Sequence, residues 1–251
     1  MTNDKTKLEI CEGVKFPDGT IYKGMLLYKM KGQWNGEKKC GYGVQSWSNS
    51  NKYEGYWKDD KFHGKGKFIH AEGDVYEGDW VKGKAEGYGI YTHVSGAQYK
   101  GDWKNDLQDG FGIEIWEDGS KYEGTYKEGL KDGKGIYIWA DKSVYNGEWK
   151  KNEMQGKGTC NWINGEAYTG DWLHNYMHGE GVYTWGDGKR YEGEYTKGKR
   201  YGYGKCKWAD GSVYEGIWVN GNQHGEGKYI TADGKEKRGV WINGRVIEIL
   251  S

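Results

Sequence analysis

A pentad of the form Tyr-x-Gly-x-Trp or Tyr-x-Gly-x-Tyr starts at Tyr53 and returns at Tyr76, Tyr99, Tyr122, Tyr145, Tyr168, Tyr191 and Tyr214, each 23 residues after the last. The same phase carried backward reaches Met30-Lys31-Gly32-Gln33-Trp34, and carried forward reaches Lys237-Arg238-Gly239-Val240-Trp241, both lacking the Tyr. A fixed period in this range marks a repeat array, in which each unit packs only on its neighbours. One quasi-linear domain is therefore expected, with isolated repeats unfolded and the array folding cooperatively.

Composition refines this. A charged fraction of 29% leans toward disorder, but 14 Trp and 22 Tyr reverse that reading, because each ring buries a large apolar area while its polar tip stays wet. Acidic and basic residues balance at 37 each, so there is no general attraction to nucleic acid, and no nucleic-acid partner is expected. Cys160 and Cys206 share one repeat phase two repeats apart, too far for a disulfide, and read as reduced core thiols of a cytosolic protein. The polar N-terminus lacks an apolar leader, and no stretch is long and apolar enough to span a membrane.

Within each repeat, alternation along a strand places Tyr76, Gly78 and Trp80 on one face and Glu77 and Asp79 on the other. A glycine pair follows, as in Gly64/Gly66, Gly87/Gly89 and Gly133/Gly135, expected on the ring face to make room for aromatic side chains over bare backbone. Asp118-Gly119, Asn164-Gly165, Asp187-Gly188, Asp210-Gly211 and Asp233-Gly234 recur before the next Tyr and predict tight hairpin turns. The opposite turn carries Asp60, Gly83, Asp106, Gly129, Asn152, Asn175, Gly198 and Gly221, all tolerant of a left-handed backbone. The fold class that follows is all-β: an elongated, single-layer antiparallel meander of β-hairpin repeats. Residues 1–29 read as an N-terminal segment and degenerate capping repeat, around Phe16-Pro17-Asp18-Gly19-Thr20-Ile21-Tyr22-Lys23-Gly24. Residues 30–245 read as ten registers, the last incomplete, and 246–251 as a C-terminal capping strand.

The motif Tyr-Glu-Gly-x-Trp, a following turn, then His-Gly-x-Gly as in His63-Gly64-Lys65-Gly66, His178-Gly179-Glu180-Gly181 and His224-Gly225-Glu226-Gly227, resembles the MORN (membrane occupation and recognition nexus) repeat across about residues 12–245. The resemblance implies a twisted array of β-hairpins and a scaffold or targeting role. Members include radial spoke head proteins and cytoskeletal scaffolds, and others that carry a membrane anchor or catalytic domain, for which this chain has no room.

No catalytic residue, metal site or cofactor is expected. The three in-phase histidines His63, His178 and His224 lie repeats apart in an extended array and cannot converge on a metal. The Gly-x-Gly pairs never continue to the third glycine of a dinucleotide loop. Two binding readings remain. On the face away from the rings, Tyr88, Ile90, Phe111, Ile113, Ile115, Ile136 and Ile138 form a candidate partner patch, unless curvature or the N-terminal segment covers it. The alternative is a membrane-recruiting module in which Lys58, Lys61, Lys84, Lys104, Lys127 and Lys150 bind acidic phospholipids such as phosphoinositides. Solvated lysines guarding strand ends give the same pattern, and the acidic column Asp79, Asp102, Glu148, Asp171 and Glu194 opposes anionic head groups. The expectation is a non-catalytic scaffold or adaptor for other proteins. Family resemblance alone places it in the cytoplasm, associated with the cytoskeleton or a ciliary axoneme. Open edge strands also leave end-to-end or edge homo-association available.

Overall fold

The structure, a computed structural model, describes residues 6–31 and 34–250, with side chains at 13–24 and 38–250. The described chain is all-β and runs from β1 (Thr6–Lys15) to β21 (Arg245–Ile249) without a helix. It divides into two compact units, the first running through Gly119 with Tyr126–Gly129, the second holding Ser120–Thr125 and Leu130 onward. In each, strands consecutive in the chain pair antiparallel, as expected from the turn spacing.

The first unit shows the rule clearly. A seven-residue strand carrying the pentad, such as β4 (Lys52–Lys58), β6 (Val75–Val81) or β8 (Gln98–Lys104), alternates with a nine-residue strand carrying the glycine pair. The longer strands are β5 (Lys61–Ile69), β7 (Lys84–Thr92) and β9 (Leu107–Ile115). Among the described residues the pentad Tyr side chains and every pentad Trp but Trp103 are buried, and the rings meet edge to face both within a repeat and with the next one. Tyr76 lies 4.9 Å from Trp80 and 5.2 Å from Trp103. In the second unit Tyr145 does the same with Trp149 and Trp172, at 5.3 and 5.2 Å. Buried polar tips are satisfied: the Trp80 indole N–H donates to the Gly66 carbonyl at 3.0 Å, and the Tyr76 hydroxyl to the Asp79 carbonyl at 3.1 Å. Trp57, Trp80, Trp103, Trp149, Trp172 and Trp218 each hydrogen-bond in this way to a glycine carbonyl of the preceding repeat.

The glycine pair divides its labour. A Cβ on Gly89 would stand 2.3 Å from the Tyr76 hydroxyl, so the second glycine of the pair is bare because a ring lies on it. The first glycine has another role. Gly87 adopts φ +85, and the ladder slips between Gly78 and Trp80, which makes it the left-handed residue of a β-bulge. Its Cβ direction faces Asp79, on the surface away from the rings. The expectation that Gly133 and Gly135 share the ring face is corrected in the same way, since Gly133 faces Thr125. Strict alternation fails locally because the ladder shifts by two residues there, Gly78 facing Gly89 but Trp80 facing Ala85, so that Gly87 turns away from the ring face that Ala85 and Gly89 share.

The turns also differ from the sequence reading. Two-residue turns with both residues at positive φ, such as Asp59-Asp60 (φ 49 and 66) and Asn105-Asp106 (φ 50 and 69), lie at the end opposite the Asp-Gly dipeptides. At the Asp-Gly end only the glycine is left-handed, and the Gly211 N–H donates to Trp208 O at 3.0 Å. That is a type I turn closed by a glycine bulge, and the preceding Asp210 carboxylate accepts the Ser212 N–H instead of entering the left-handed region itself.

At the N-terminus, β2 (Ile21–Lys31) pairs with β3 (Trp34–Ser46), Gly24 opposite Gly43, and Tyr22 is fully buried with its hydroxyl over Gly43. Tyr22 therefore stands where a pentad Tyr stands. Of the register Met30–Trp34, Gly32 and Gln33 lie outside the described residues. β21 pairs with β20 (Glu236–Ile242) and exposes Val246, Ile247 and Ile249.

Candidate functional site

With the rings committed to one face, the other face is the available surface. Besides the residue after the pentad Tyr, such as Glu77 or Lys100, three classes of side chain occupy it: the residue before the pentad Trp, the residue inside the glycine pair, and the two outward positions after that pair.

The first class is structural. Asp79 Oδ2 accepts the Tyr88 N–H at 3.2 Å, Asp102 Oδ2 the Phe111 N–H at 2.9 Å, Asp171 Oδ2 the Glu180 N–H at 3.0 Å, and Glu194 Oε1 the Tyr203 N–H at 3.0 Å. Each carboxylate holds the amide just after the bulge glycine. The acidic column expected to repel anionic lipid is thus also a set of bulge braces, and Lys65 and Lys157 pair with Asp79 and Asp171 at 2.8 and 2.7 Å.

The second and third classes carry the candidate patch. In the first unit Tyr88 and Phe111 are 52% and 51% exposed, and Ile115 is exposed as well. Ile90 and Ile113 are half-buried. Ile90 and Ile113 each pair with Lys100, so they lie two strands apart with that lysine between them. In the second unit Ile136 is 38% exposed and Ile138 half-buried. Later repeats are polar at several of these addresses: Lys157, Thr159 and Asn161 follow in sequence.

The structure adds two residues that the sequence reading missed. Tyr42 occupies the strand address of Tyr88 two repeats earlier, and Tyr56 the address of Asp79. Their rings meet edge to face at 5.5 Å and both are exposed. The Tyr42 hydroxyl donates to Glu54 at 2.8 Å, and that bond holds its phenol above the ordinary value. Together with Lys65, Lys67, Tyr88 and Ile90 they wall a groove of about 630 Å³ whose floor is the bare backbone of Gly55, Gly66 and Gly78. Carrying the Tyr88 column back two periods, past Lys65, would have found Tyr42. Tyr56 replaces a carboxylate, and no periodic signal announces it.

The six lysines of the alternative reading are all exposed. They flank the two-residue turns, Lys58 directly opposite Lys61. Acidic turn residues Asp59, Asp60, Asp106 and Glu128 interleave with them in the first unit, and Lys150 in the second is paired with Asp132 at 3.4 Å. A continuous basic edge is not formed. Among the described residues no three of His, Cys, Asp and Glu gather as a metal site. Cys160 and Cys206 are buried free thiols, and burial pushes the Cys160 thiol up to about 11, far from the reactive range.

The model of the MORN repeat matches nine consecutive segments, 31–52, 53–75, 76–98, 99–121, 122–144, 145–167, 168–190, 191–213 and 214–236. The chain belongs to the MORN repeat family. The MORN match has the period read from the pentads, and the family it names is one of repeats, not of a catalytic domain. No curated relative matches significantly. Among solved structures the MORN chain is similar to the TCP10 domain of Danio rerio CPAP in complex with a peptide of Danio rerio STIL. Identity there is 13% over 95% of this chain and 98% of that one, with a TM-score of 0.49. It is also similar to the SAS-4 (dCPAP) TCP domain of Drosophila melanogaster in complex with a proline rich motif of Ana2 (dSTIL). There identity is 14% over 62% of this chain and 85% of that one, with a TM-score of 0.39. At these scores the likeness is too loose to transfer a partner.

Proposed function

We propose that this MORN array is a non-catalytic scaffold or adaptor that binds protein partners along its outer β face. The observation that carries the reading is the pair of half-exposed rings, Tyr88 and Phe111, in neighbouring repeats at a strand address that is otherwise Lys65, Lys134, Lys157, Glu180 and Glu226, with exposed tyrosines again at Tyr42 and Tyr203. Rings half held out in water, Tyr88 of them lining a groove floored by glycine backbone, suit a partner surface. A cytoplasmic, cytoskeletal setting such as a ciliary axoneme rests on the resemblance to radial spoke head proteins and cytoskeletal scaffolds. The test is affinity capture with wild type and a Phe111→Ser, Ile113→Ser, Ile136→Ser variant. The variant is expected to keep its cooperative unfolding, because two of the three side chains are already exposed, and to lose bound proteins. An unchanged set of partners refutes the patch. In parallel, salt-sensitive binding to phosphoinositide liposomes that is lost on charge reversal of Lys58, Lys104 and Lys127 would replace the scaffold reading with the lipid one.

A further inference from the structure

On the ring face, a column at the 23-residue spacing runs through Lys39 in β3 and the second residue of each nine-residue strand, and large side chains in it, such as Phe62 and Arg200, lie over the pentad rings of two successive repeats. Phe62 stacks on Tyr53 at 3.8 Å and meets Trp80 at 5.1 Å. Where this residue is cationic, it makes cation–π contacts. Lys39 Nζ lies 5.4 Å from the Tyr22 ring, 4.8 Å from Trp57 and 5.4 Å from Phe16. Arg200 Cζ lies 4.2 Å from Trp218 and 5.6 Å from Tyr191, and Lys131 Nζ 5.3 Å from Tyr122.

At one position the column is small. Ala85 lies between Tyr76 and Trp103 and is too short to cover them. A cavity of about 520 Å³ opens there, walled by Tyr76, Trp80, Trp103, Tyr91, Phe62 and Phe68, with His70 and Asp106 at its margin. Trp103 records the consequence. The rings at its address in other repeats, Trp57, Trp80, Tyr126, Trp149, Trp172, Tyr195, Trp218 and Trp241, are all buried, and Trp103 alone among them is only half-buried.

The Ala85 site matches the Lys39 site part by part, two repeats on. Lys39 N–H donates to Asp60 Oδ1 at 2.8 Å, and Ala85 N–H to Asp106 Oδ1 at 2.8 Å. Burial holds the Lys39 ammonium below its ordinary value and the Asp60 charge opposes that shift; Asp106 holds the same place beside Ala85. Tyr76 and Trp103 take the places of Tyr22 and Trp57. His70 takes that of Phe16, each being the residue whose N–H closes the preceding turn, onto Asp74 O and Thr20 O. Gln45 Oε1, which accepts from Lys39 Nζ at 2.5 Å, is replaced by Tyr91. What remains around Ala85 is an open cavity lined by electron-rich rings, with the Asp106 carboxylate, His70 and Gln108 beside them, and without the side chain that lies over the rings at Lys39.

We propose that the cavity over Ala85 receives a lysine side chain presented by a partner polypeptide. Lysine is favoured over arginine because the intramolecular cation that shares the turn aspartate is Lys39, whereas Arg200 donates instead to the Gly221 carbonyl. The source of the lysine rests on the protein-partner reading above; the pocket chemistry does not.

The full chain is titrated with n-butylammonium, a lysine side chain cut at its backbone, and separately with n-butanol, its neutral counterpart. The indole N–H resonances of Trp80 and Trp103 are followed, Trp103 assigned with Trp103→Phe. Saturable shifts with butylammonium, at least fivefold weaker with butanol, are expected. Ala85→Lys should abolish them by filling the cavity from within, Ala85→Met should do so without charge, and Asp106→Asn should weaken butylammonium alone. Equal responses to the two probes, or an undiminished response in a folded Ala85→Lys protein, overturn the site whatever becomes of the outer-face reading. If butylammonium binds but Ala85→Lys retains every protein captured by wild type, the partner source is overturned while the Phe111 test still judges the scaffold. Loss of a captured protein in Ala85→Lys, on top of butylammonium selectivity, supports the proposal.

Discussion

Replacing Gly89 by alanine isolates the packing role of the glycine pair. Gly89 has no left-handed φ, so a methyl group there is resisted by volume alone. Its Cβ would come within 2.3 Å of the Tyr76 hydroxyl and 2.5 Å of the ring carbon that bears it. Tyr76 cannot retreat, because Trp80 and Trp103 flank it edge to face at 4.9 and 5.2 Å and its hydroxyl is tied to the Asp79 carbonyl. Overpacking costs about 1–3 kcal/mol, a strained hydrogen bond about 1 kcal/mol, and a weakened ring pair about 0.5–1.5 kcal/mol. The sum is roughly 2.5–5.5 kcal/mol. Gly96, in the same repeat, is the control: its φ is +94 and nothing lies within 4 Å of an added Cβ, so Gly96→Ala carries only backbone strain, about 1–2 kcal/mol. Urea unfolding followed by tryptophan fluorescence measures both, and amide exchange in Tyr76–Tyr99 checks that the damage is local. If Gly89→Ala costs no more than Gly96→Ala, the ring does not need the bare backbone and the packing argument fails.

Two further outcomes follow from the same geometry. Asp102→Ala removes the acceptor of the Phe111 N–H at the bulge and should lower stability by about 1.5–3 kcal/mol, read from the urea midpoint; no loss would show that the bulge stands unbraced. At alkaline pH, burial raises the pentad phenols above their ordinary value of 10.0, Tyr214 to about 12. The unfolded chain then releases these protons first, so stability is constant below about pH 9, falls as pH rises from 10 toward 12, and levels only above the folded value. Urea midpoints between pH 8 and 11, with phenolate absorbance marking ionisation, test this. A flat profile would mean that the phenols titrate freely in the folded state.

The repeat period, the strand alternation, the ring face and the family were legible in the sequence, because each depends on residues close together and repeated many times. Tyr76, Gly78 and Trp80 are two apart, and a period of two needs no tertiary knowledge. The glycine pair was legible as a pair but not as two roles. The bulge that turns Gly87 toward Asp79 arises only when two strands are paired out of step, and no alternation within one strand contains it. The turns were legible as tight hairpins at Asp-Gly and as left-handed residues at the opposite end, but the form of the Asp-Gly turn, a type I turn with Asx bonding and a glycine bulge, was not.

The candidate surfaces were less legible still. Tyr88, Ile90, Phe111, Ile113 and Ile115 could be placed on one face from sequence, but how far each stands in water depends on neighbouring strands. Ala85 gave no signal as a single small residue. Its meaning comes from Tyr76, nine residues before it, Trp103, eighteen after it, and the comparison with Lys39. The sequence alone determined a repeated hairpin with its rings on one side. Where that repetition is broken, only the packing of side chains from separate strands decided whether the gap is filled, as over Lys39, or left open, as over Ala85.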